Sequence, residues 1–176
     1  MKLRQFGFIA ALLAAASAAG SGVRPQGPDI AARPVGSAEV VSLDGLRNAE
    51  FGATEEDLTR RGLLRTDEEA CGPTLAGHGS VSPIFVDDRL VLLWLDDPMT
   101  TPEGIGAGTP VGEVRAAYPG AAALPAPPGS HRFAGLLARD GDRAYLFLHD
   151  GVTVRKVIAG YADWARRLFD EGYGPC

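Results

Sequence analysis

One stretch specifies the fold of this chain: residues 100–120, which read TTPEGIGAGTPVGEVRAAYPG. Glycines at alternate positions from 104 to 108 predict a turn, with Ile105 between them pointing inward. Thr109 is a predicted N-cap, and Pro110 suits the first helical position because its missing N–H would have no partner there. The Pro-Gly pair that closes the stretch predicts the end of the helix. The stretch therefore predicts a loop, a glycine turn and a short helix.

A looser copy of this pattern lies earlier, at residues 46–62, which read LRNAEFGATEEDLTRRG. Thr54 is a good N-cap, and three acidic residues follow it where the helix dipole favours negative charge. Thr54 and Asp57 also have the spacing of a capping box. Gly62 suits the position just after a helix, so we predict a second short helix over residues 55–61.

After each copy, a polar stretch leads into apolar runs separated by turn residues. Residues 83–95 read as a strand, an Asp-Asp-Arg turn and a strand. In the second half, Asp-containing turns separate three apolar runs, and a helical apolar spacing follows them: residues 131–138, 143–148, 152–159 and 161–173. The Ala- and Pro-rich residues 121–130 are predicted to be a linker.

The sequence therefore predicts an α+β fold made of two tandem helix–loop–β-meander units, residues 38–99 and residues 100–176. Their strands should form an antiparallel sheet with the short helices on one face. A C-terminal helix should complete the second unit.

The N-terminus has the features of an export signal. Lys2 and Arg4 precede an apolar run at residues 6–16, which is long enough for a signal peptide and too short to span a bilayer. Ser17-Ala18-Ala19 fits the small-residue cleavage rule, so we predict a signal peptide over residues 1–19, with cleavage after Ala18 as the alternative. Residues 20–37 are rich in Gly and Pro and predict a flexible linker. We therefore expect a secreted, periplasmic or cell-envelope protein with no membrane insertion after cleavage.

The charge excludes one class of partner. The full chain has a formal net charge of −5, and loss of Lys2 and Arg4 with the signal peptide makes it −7. An acidic protein without a basic run is a poor match for nucleic acid, because phosphate contacts need clustered Lys and Arg. We expect a protein partner, no nucleic acid, and a monomer.

Only two cysteines are present, Cys71 and Cys176. Export to an oxidising compartment and an even count predict that they pair, which would tie the C-terminus to the first unit. Closure of a loop of about 100 residues stabilises the fold by about 4.7 kcal/mol in the chain-entropy model.

The two helix starts, residues 51–54 with Leu58 and residues 105–109 with Val114, carry a resemblance to known families. A glycine-x-threonine helix start followed by an antiparallel sheet, twice in one exported chain, resembles the tandem-repeat β-lactamase inhibitory proteins. It also resembles the single-unit BamE-like outer-membrane lipoproteins. Residues 101–105 resemble a group of uncharacterised secreted actinobacterial proteins. The resemblance implies a bacterial protein-binding module with an inhibitor-like role.

Candidate catalytic and ligand-binding residues have simpler explanations. The three histidines are not paired at metal-ligand spacing, and His149 is expected at the surface, in a turn with Asp150. Pairs of Asp flank strand ends, where turns favour Asp: Asp87-Asp88, Asp96-Asp97 and Asp140-Gly141-Asp142. Trp94 and Trp164 lie in apolar or amphipathic runs and are expected in the core. We therefore predict no catalytic residue, no metal site and no cofactor.

Two functions remain. The first is a secreted, non-catalytic protein-binding module that presents an exposed aromatic or apolar patch on one sheet face. The alternative is a cell-envelope-associated enzyme or small-ligand-binding protein, which needs a deep pocket with convergent polar groups. The lack of a recognisable catalytic motif favours the first.

The cysteine pairing is directly testable. Chromogenic thiol titration of the mature protein, unfolded without reductant so that burial hides no thiol, should detect no free thiol. Reduction should then release both, from Cys71 and Cys176. Two reactive thiols before reduction would contradict the disulfide.

Overall fold

The computed structural model describes residues 39–65, 72–126 and 132–172. The predicted signal peptide, the 20–37 linker, His131 and both cysteines of the predicted disulfide lie outside the described residues. These predictions therefore stay predictions.

In the described ranges the chain forms short strands, a large sheet and three helices. The strands are β1 (Gly45–Leu46), β2 (Ala49–Glu50), β3 (Leu64–Arg65), β4 (Thr74–Leu75), β5 (Val81–Val86), β6 (Arg89–Leu95), β7 (Ala122–Leu124), β8 (Ala134–Asp140), β9 (Arg143–His149) and β10 (Val154–Tyr161). The helices are α1 (Glu55–Arg60), α2 (Val111–Ala117) and α3 (Ala162–Glu171). None of these three helices has the length and apolar character needed to cross a membrane.

Six strands make one antiparallel sheet in the order β5-β6-β10-β9-β8-β7. The remaining strands form two small antiparallel pairs, β1 with β2 and β3 with β4. The predicted α+β class, antiparallel sheet and C-terminal helix are confirmed.

Each face of the sheet has its own apolar layer. On one face, Leu58 of α1 and Val114 of α2 are fully buried in a cluster that includes Phe147. On the other face, Leu168 and Phe169 of α3 join a second cluster. Neighbouring residues of β9 point to opposite faces, because side chains alternate along a strand.

The three predicted hairpins, β5–β6, β8–β9 and β9–β10, are confirmed, and the turn residues of the first two show why they form. Asp87 and Asp88 connect β5 to β6 with φ angles of 48° and 62°. Positive φ at both turn residues matches the right-handed twist of the flanking strands, and Asp tolerates this conformation. Gly141, at φ 58°, serves the same purpose between β8 and β9.

The cap of α1 is confirmed. The Thr54 hydroxyl accepts a hydrogen bond from the Asp57 N–H at 3.1 Å, and α1 ends at Arg60, one residue before the predicted end. Gly62 follows at φ 72°, while the Leu63 N–H reaches back to the Leu58 carbonyl at 2.9 Å. These bonds satisfy backbone groups that the short helix itself leaves unpaired.

The predicted cap of α2 is wrong by one position. Pro110 is the N-cap, and the Thr109 hydroxyl instead accepts from the Gly106 N–H at 3.0 Å. The Val111 N–H finds its acceptor in the Val152 carbonyl of the β9–β10 loop, at 3.0 Å. A backbone hydrogen bond from a distant loop therefore takes the place of the predicted side-chain cap. Ile105 is buried, as predicted.

The 121–130 linker is also a prediction that the structure corrects. Its residues 122–124 form β7, an edge strand in which Ala123 pairs with Leu136 of β8 and Leu124 is buried. Alanine has low strand propensity, but pairing with an existing sheet edge overrides a weak local preference.

The chain enters α1 and α2 through the same set of backbone hydrogen bonds. At α1 they are Gly52 N–H to Leu90 O, Leu90 N–H to Ala53 O and Glu55 N–H to Asp88 O, at 2.8, 2.9 and 3.2 Å. At α2 they are Gly108 N–H to Val154 O, Val154 N–H to Thr109 O and Val111 N–H to Val152 O, at 2.8, 2.8 and 3.0 Å. Gly52 and Gly108 have nearly equal φ angles, 90° and 87°.

Gly160 gives a test of the packing at the centre of the sheet. Its φ is 143°, and a Cβ there would overlap the carbonyl oxygen of Val91 in β6, which is backbone and cannot rotate away. Gly160→Ala should therefore lower the free energy of unfolding by about 1–3 kcal/mol in chemical denaturation.

Gly112→Ala is the matched control, because Gly112 lies in α2 with ordinary φ and open space around its Cα. This change should raise the free energy of unfolding by about 0.5–1 kcal/mol. Equal stabilities of the two variants would contradict the close approach of β6 and β10.

Candidate functional site

α3 covers only part of its face of the sheet. It packs mainly on β9 and β10 and also touches β6 and β8. A helix is about 10 Å across and strands lie about 4.8 Å apart, so one helix covers the width of about two strands. Apolar side chains of this face that lie beside or beyond α3, such as Trp94 and Leu148, are therefore only partly buried.

A cleft of about 220 Å³ lies at the C-terminal end of α3. Side chains from three strands or strand ends and from α3 converge on it. We call it the aromatic cleft, and its lining residues are Trp94, Arg132, Phe133, Leu148, Leu168, Phe169 and Gly172.

Strand register places the floor of the aromatic cleft. Trp94 pairs with Ile158 across β6 and β10, while Leu148 pairs with Gly135 across β9 and β8. A Cβ on Gly135 would come within 2.9 Å of the Phe169 ring. The missing side chain therefore lets Phe169 settle directly on the sheet, where it forms one side of the cleft.

Phe133 forms the rim. It precedes β8 and is 42% exposed, which makes it the aromatic ring with the largest exposure among the described residues. Phe133 therefore adjoins the partly buried side chains of the cleft and is not an isolated exposed residue.

Arg132 holds the wall formed by the end of α3. Its guanidinium donates to the carbonyl oxygens of Leu168, Phe169 and Asp170 and lies 5.7 Å from the centre of the Phe169 ring. The last carbonyls of a helix lack partners within the helix, and a cation there also interacts favourably with its dipole. Gly172 ends the helix in the left-handed conformation.

A second cation covers the Trp94 ring. The Lys156 ammonium lies 5.4 Å from the ring centre and also forms an ion pair with Asp96. An ammonium over an aromatic face is attracted by the electron density of the ring. Asp96 thus pairs with a lysine at the strand end.

The prediction that both tryptophans lie in the core is correct only in part. Trp94 and Trp164 are partly buried and pack against the edge of the α3-side cluster. Trp164 borders a separate cleft of about 350 Å³ near the start of α3, together with Val86 and Val91. An unbroken apolar strand such as β6 indicates coverage on both faces, but it does not indicate where a helix stops covering it.

The surface position predicted for His149 is wrong. His149 is the last residue of β9, is only 8% exposed, and its Nδ1 accepts from the Gly151 N–H at 3.1 Å. Burial, together with the nearby Arg115, lowers the pKa of His149. Asp150 does form the predicted turn, since its carboxylate accepts from the N–H groups of Val152 and Thr153, both at 2.9 Å.

His78 contacts a carboxylate and does not belong to a set of metal ligands. Its Nδ1 lies 2.5 Å from the Glu39 carboxylate, whose other oxygen is 2.5 Å from Arg47. Across the described ranges, no three His, Cys, Asp or Glu side chains come together as metal ligands would. Asp142 forms an ion pair with Arg143 at 2.6 Å.

Two phenols donate hydrogen bonds to segments that are distant from them in sequence. The Tyr118 hydroxyl donates to the Glu103 carboxylate, and the Tyr145 hydroxyl donates to the Val41 carbonyl at 2.9 Å. Burial raises the pKa of Tyr118 and of Tyr145, and the Glu103 charge adds to both shifts. Both phenols therefore stay protonated and act as hydrogen-bond donors.

Comparison with protein-family models, with curated proteins and with solved structures finds no match to this chain.

The buried His149 predicts a pH-dependent stability. Its pKa is lower in the folded than in the unfolded chain, so the unfolded chain binds a proton first as the pH falls. The resulting stability is present above the unfolded pKa of about 6.5 and declines as the pH falls below it. His149→Asn keeps an acceptor for the Gly151 N–H and removes the titration. Denaturation between pH 8 and pH 5.5 should show a smaller loss of stability in this variant, and an unchanged loss would contradict the role of His149.

Proposed function

We propose that this chain is an exported, non-catalytic protein-binding module, secreted or held in the cell envelope, that contacts its partner through the aromatic cleft. The supporting observation is the convergence of Trp94, Phe133 and Leu148, all wholly or partly exposed, at one end of the α3 face. Aromatic side chains are enriched in the centres of protein interfaces, where they carry much of the binding energy. We propose that the module acts as a monomer.

The size and lining of the aromatic cleft suit a protein contact better than a small-molecule site. Small-molecule sites usually enclose about 300–1,000 Å³ with several convergent polar groups. The aromatic cleft encloses about 220 Å³, and Arg132 is the one charged residue among those that line it in the described part of the chain. Tyr118 and Tyr145 border another cleft, of about 330 Å³, and their hydroxyl groups donate to the Glu103 carboxylate and the Val41 carbonyl.

We further propose that residues 38–99 and 100–176 are tandem copies of one unit. The matching hydrogen bonds at the entries to α1 and α2 support it, as do the fully buried Leu58 and Val114, each six residues after the glycine of its entry. In this comparison of the two units, Gly52 is equivalent to Gly108. Such an arrangement agrees with the resemblance to the β-lactamase inhibitory proteins, and with an inhibitor-like role.

Affinity capture tests the proposed contact surface. The mature protein, residues 20–176, serves as bait in culture medium and envelope extract of the source cells. Phe133→Ala should reduce the captured partner about tenfold or more, because truncation of an aromatic residue at the contact site removes a large share of binding energy. Its melting temperature should stay close to that of the parent, since an exposed side chain contributes little to stability.

Val40→Ala is the matched control. Val40 is 49% exposed and adjoins Val41, which packs on the α1 and α2 side of the sheet. This variant should capture the partner as the parent does. Undiminished capture by Phe133→Ala, or loss of capture accompanied by a lower melting temperature, would contradict the proposal.

A further inference from the structure

We propose that the aromatic cleft receives a single aromatic side chain, Phe, Tyr or Trp, from the partner protein. This inference rests on the proposed function and names the chemistry that the cleft selects. Three properties of the cleft carry it: its volume, the rings and other apolar groups that line it, and the order of its walls.

The volume corresponds to one ring. An apolar cavity of about 150 Å³ holds benzene, and drug-sized ligands need about 300 Å³ or more. At about 220 Å³, the aromatic cleft accommodates a six-membered or indole ring with its methylene group.

The lining presents rings in the arrangement that another ring prefers. Trp94 lies on the sheet, Phe169 on α3 and Phe133 at the rim, so a guest is approached from different elements. Aromatic pairs favour offset or edge-to-face contacts, which such a surrounding permits. An aliphatic guest gains the burial of its surface but not these ring contacts.

The lining excludes the remaining common anchor. Residues that dominate interface energies are mostly Trp, Tyr and Arg. None of the described lining residues is acidic, so a guanidinium from the partner would leave water without a carboxylate to replace it. A neutral ring carries no such cost. Of these three anchors, the cleft therefore accepts the aromatic ones.

The walls are held in place by the fold, which lowers the cost of binding. Arg132 fixes the end of α3 through three carbonyl groups, and Gly135 fixes the position of the Phe169 ring. A site that is already ordered loses little side-chain freedom when the guest enters.

The experiment uses three amino-acid probes and two internal reporters. Trp94 and Trp164 are the only tryptophans, so ¹⁵N-labelled mature protein gives two indole N–H signals, which Trp164→Phe assigns. N-acetyl-L-phenylalaninamide should shift the Trp94 signal in a saturable way and leave the Trp164 signal in place. N-acetyl-L-leucinamide should bind roughly two- to tenfold more weakly, and N-acetyl-L-argininamide should cause no saturable shift.

Leu148→Phe supplies the blocking variant, because Leu148 is a partly buried lining residue and a larger ring there fills the cleft. It should abolish the shift caused by the phenylalanine probe. If this variant does not fold, Phe133→Ala replaces it and should weaken binding of the same probe.

Equal binding of the leucine probe, tighter binding of the arginine probe, or the absence of any saturable Trp94 shift would each overturn the inference. The proposed function would still stand if Phe133→Ala lost partner capture, so the two proposals fail separately.

Discussion

The pairing of β6 with β10 is the interaction on which the rest of the structure depends. These strands are the second and third of the six-stranded sheet, and each contributes side chains to both apolar clusters. They approach so closely that only a glycine fits at position 160, opposite the Val91 carbonyl. Leu90 of β6 and Val154 of β10 also form backbone hydrogen bonds with the chain segments that precede α1 and α2. Loss of this pairing would disrupt both apolar clusters at once, because β6 and β10 contribute side chains to each.

The elements that the sequence predicts well are those with local causes. The Asp87-Asp88 turn, the Asp140-Gly141 turn and the Thr54 cap are each specified by a few adjacent residues. The elements that it predicts poorly depend on distant partners. β7 exists because β8 offers it an edge, and α2 begins after Pro110 because Val152 supplies an acceptor. No pattern within residues 109–124 indicates that β8 and Val152 are their partners.

The candidate site illustrates the same limit. Trp94 and Leu148 read as core residues, since both lie in apolar strands, and their exposure depends on where α3 stops covering the sheet. That limit is fixed by the length and path of α3, which packs on β9 and β10. The sequence therefore identifies these residues as apolar but does not indicate that they lie together at a partly exposed site. Phe133 is the one member whose exposure follows from a simple cause, because it precedes its strand.

The contacts of Arg132 link the order of the α3 terminus to occupancy of the aromatic cleft. Terminal helical turns open and close locally at a small fraction of the global unfolding free energy. Leu168 and Phe169 belong to that last turn and also line the cleft, so the cleft exists in full only while the turn is closed. A guest that binds only the closed form raises the free energy of opening by RT ln(1 + [L]/Kd). The free energy of opening of the last turn of α3 therefore reports the fraction of protein molecules whose cleft is occupied.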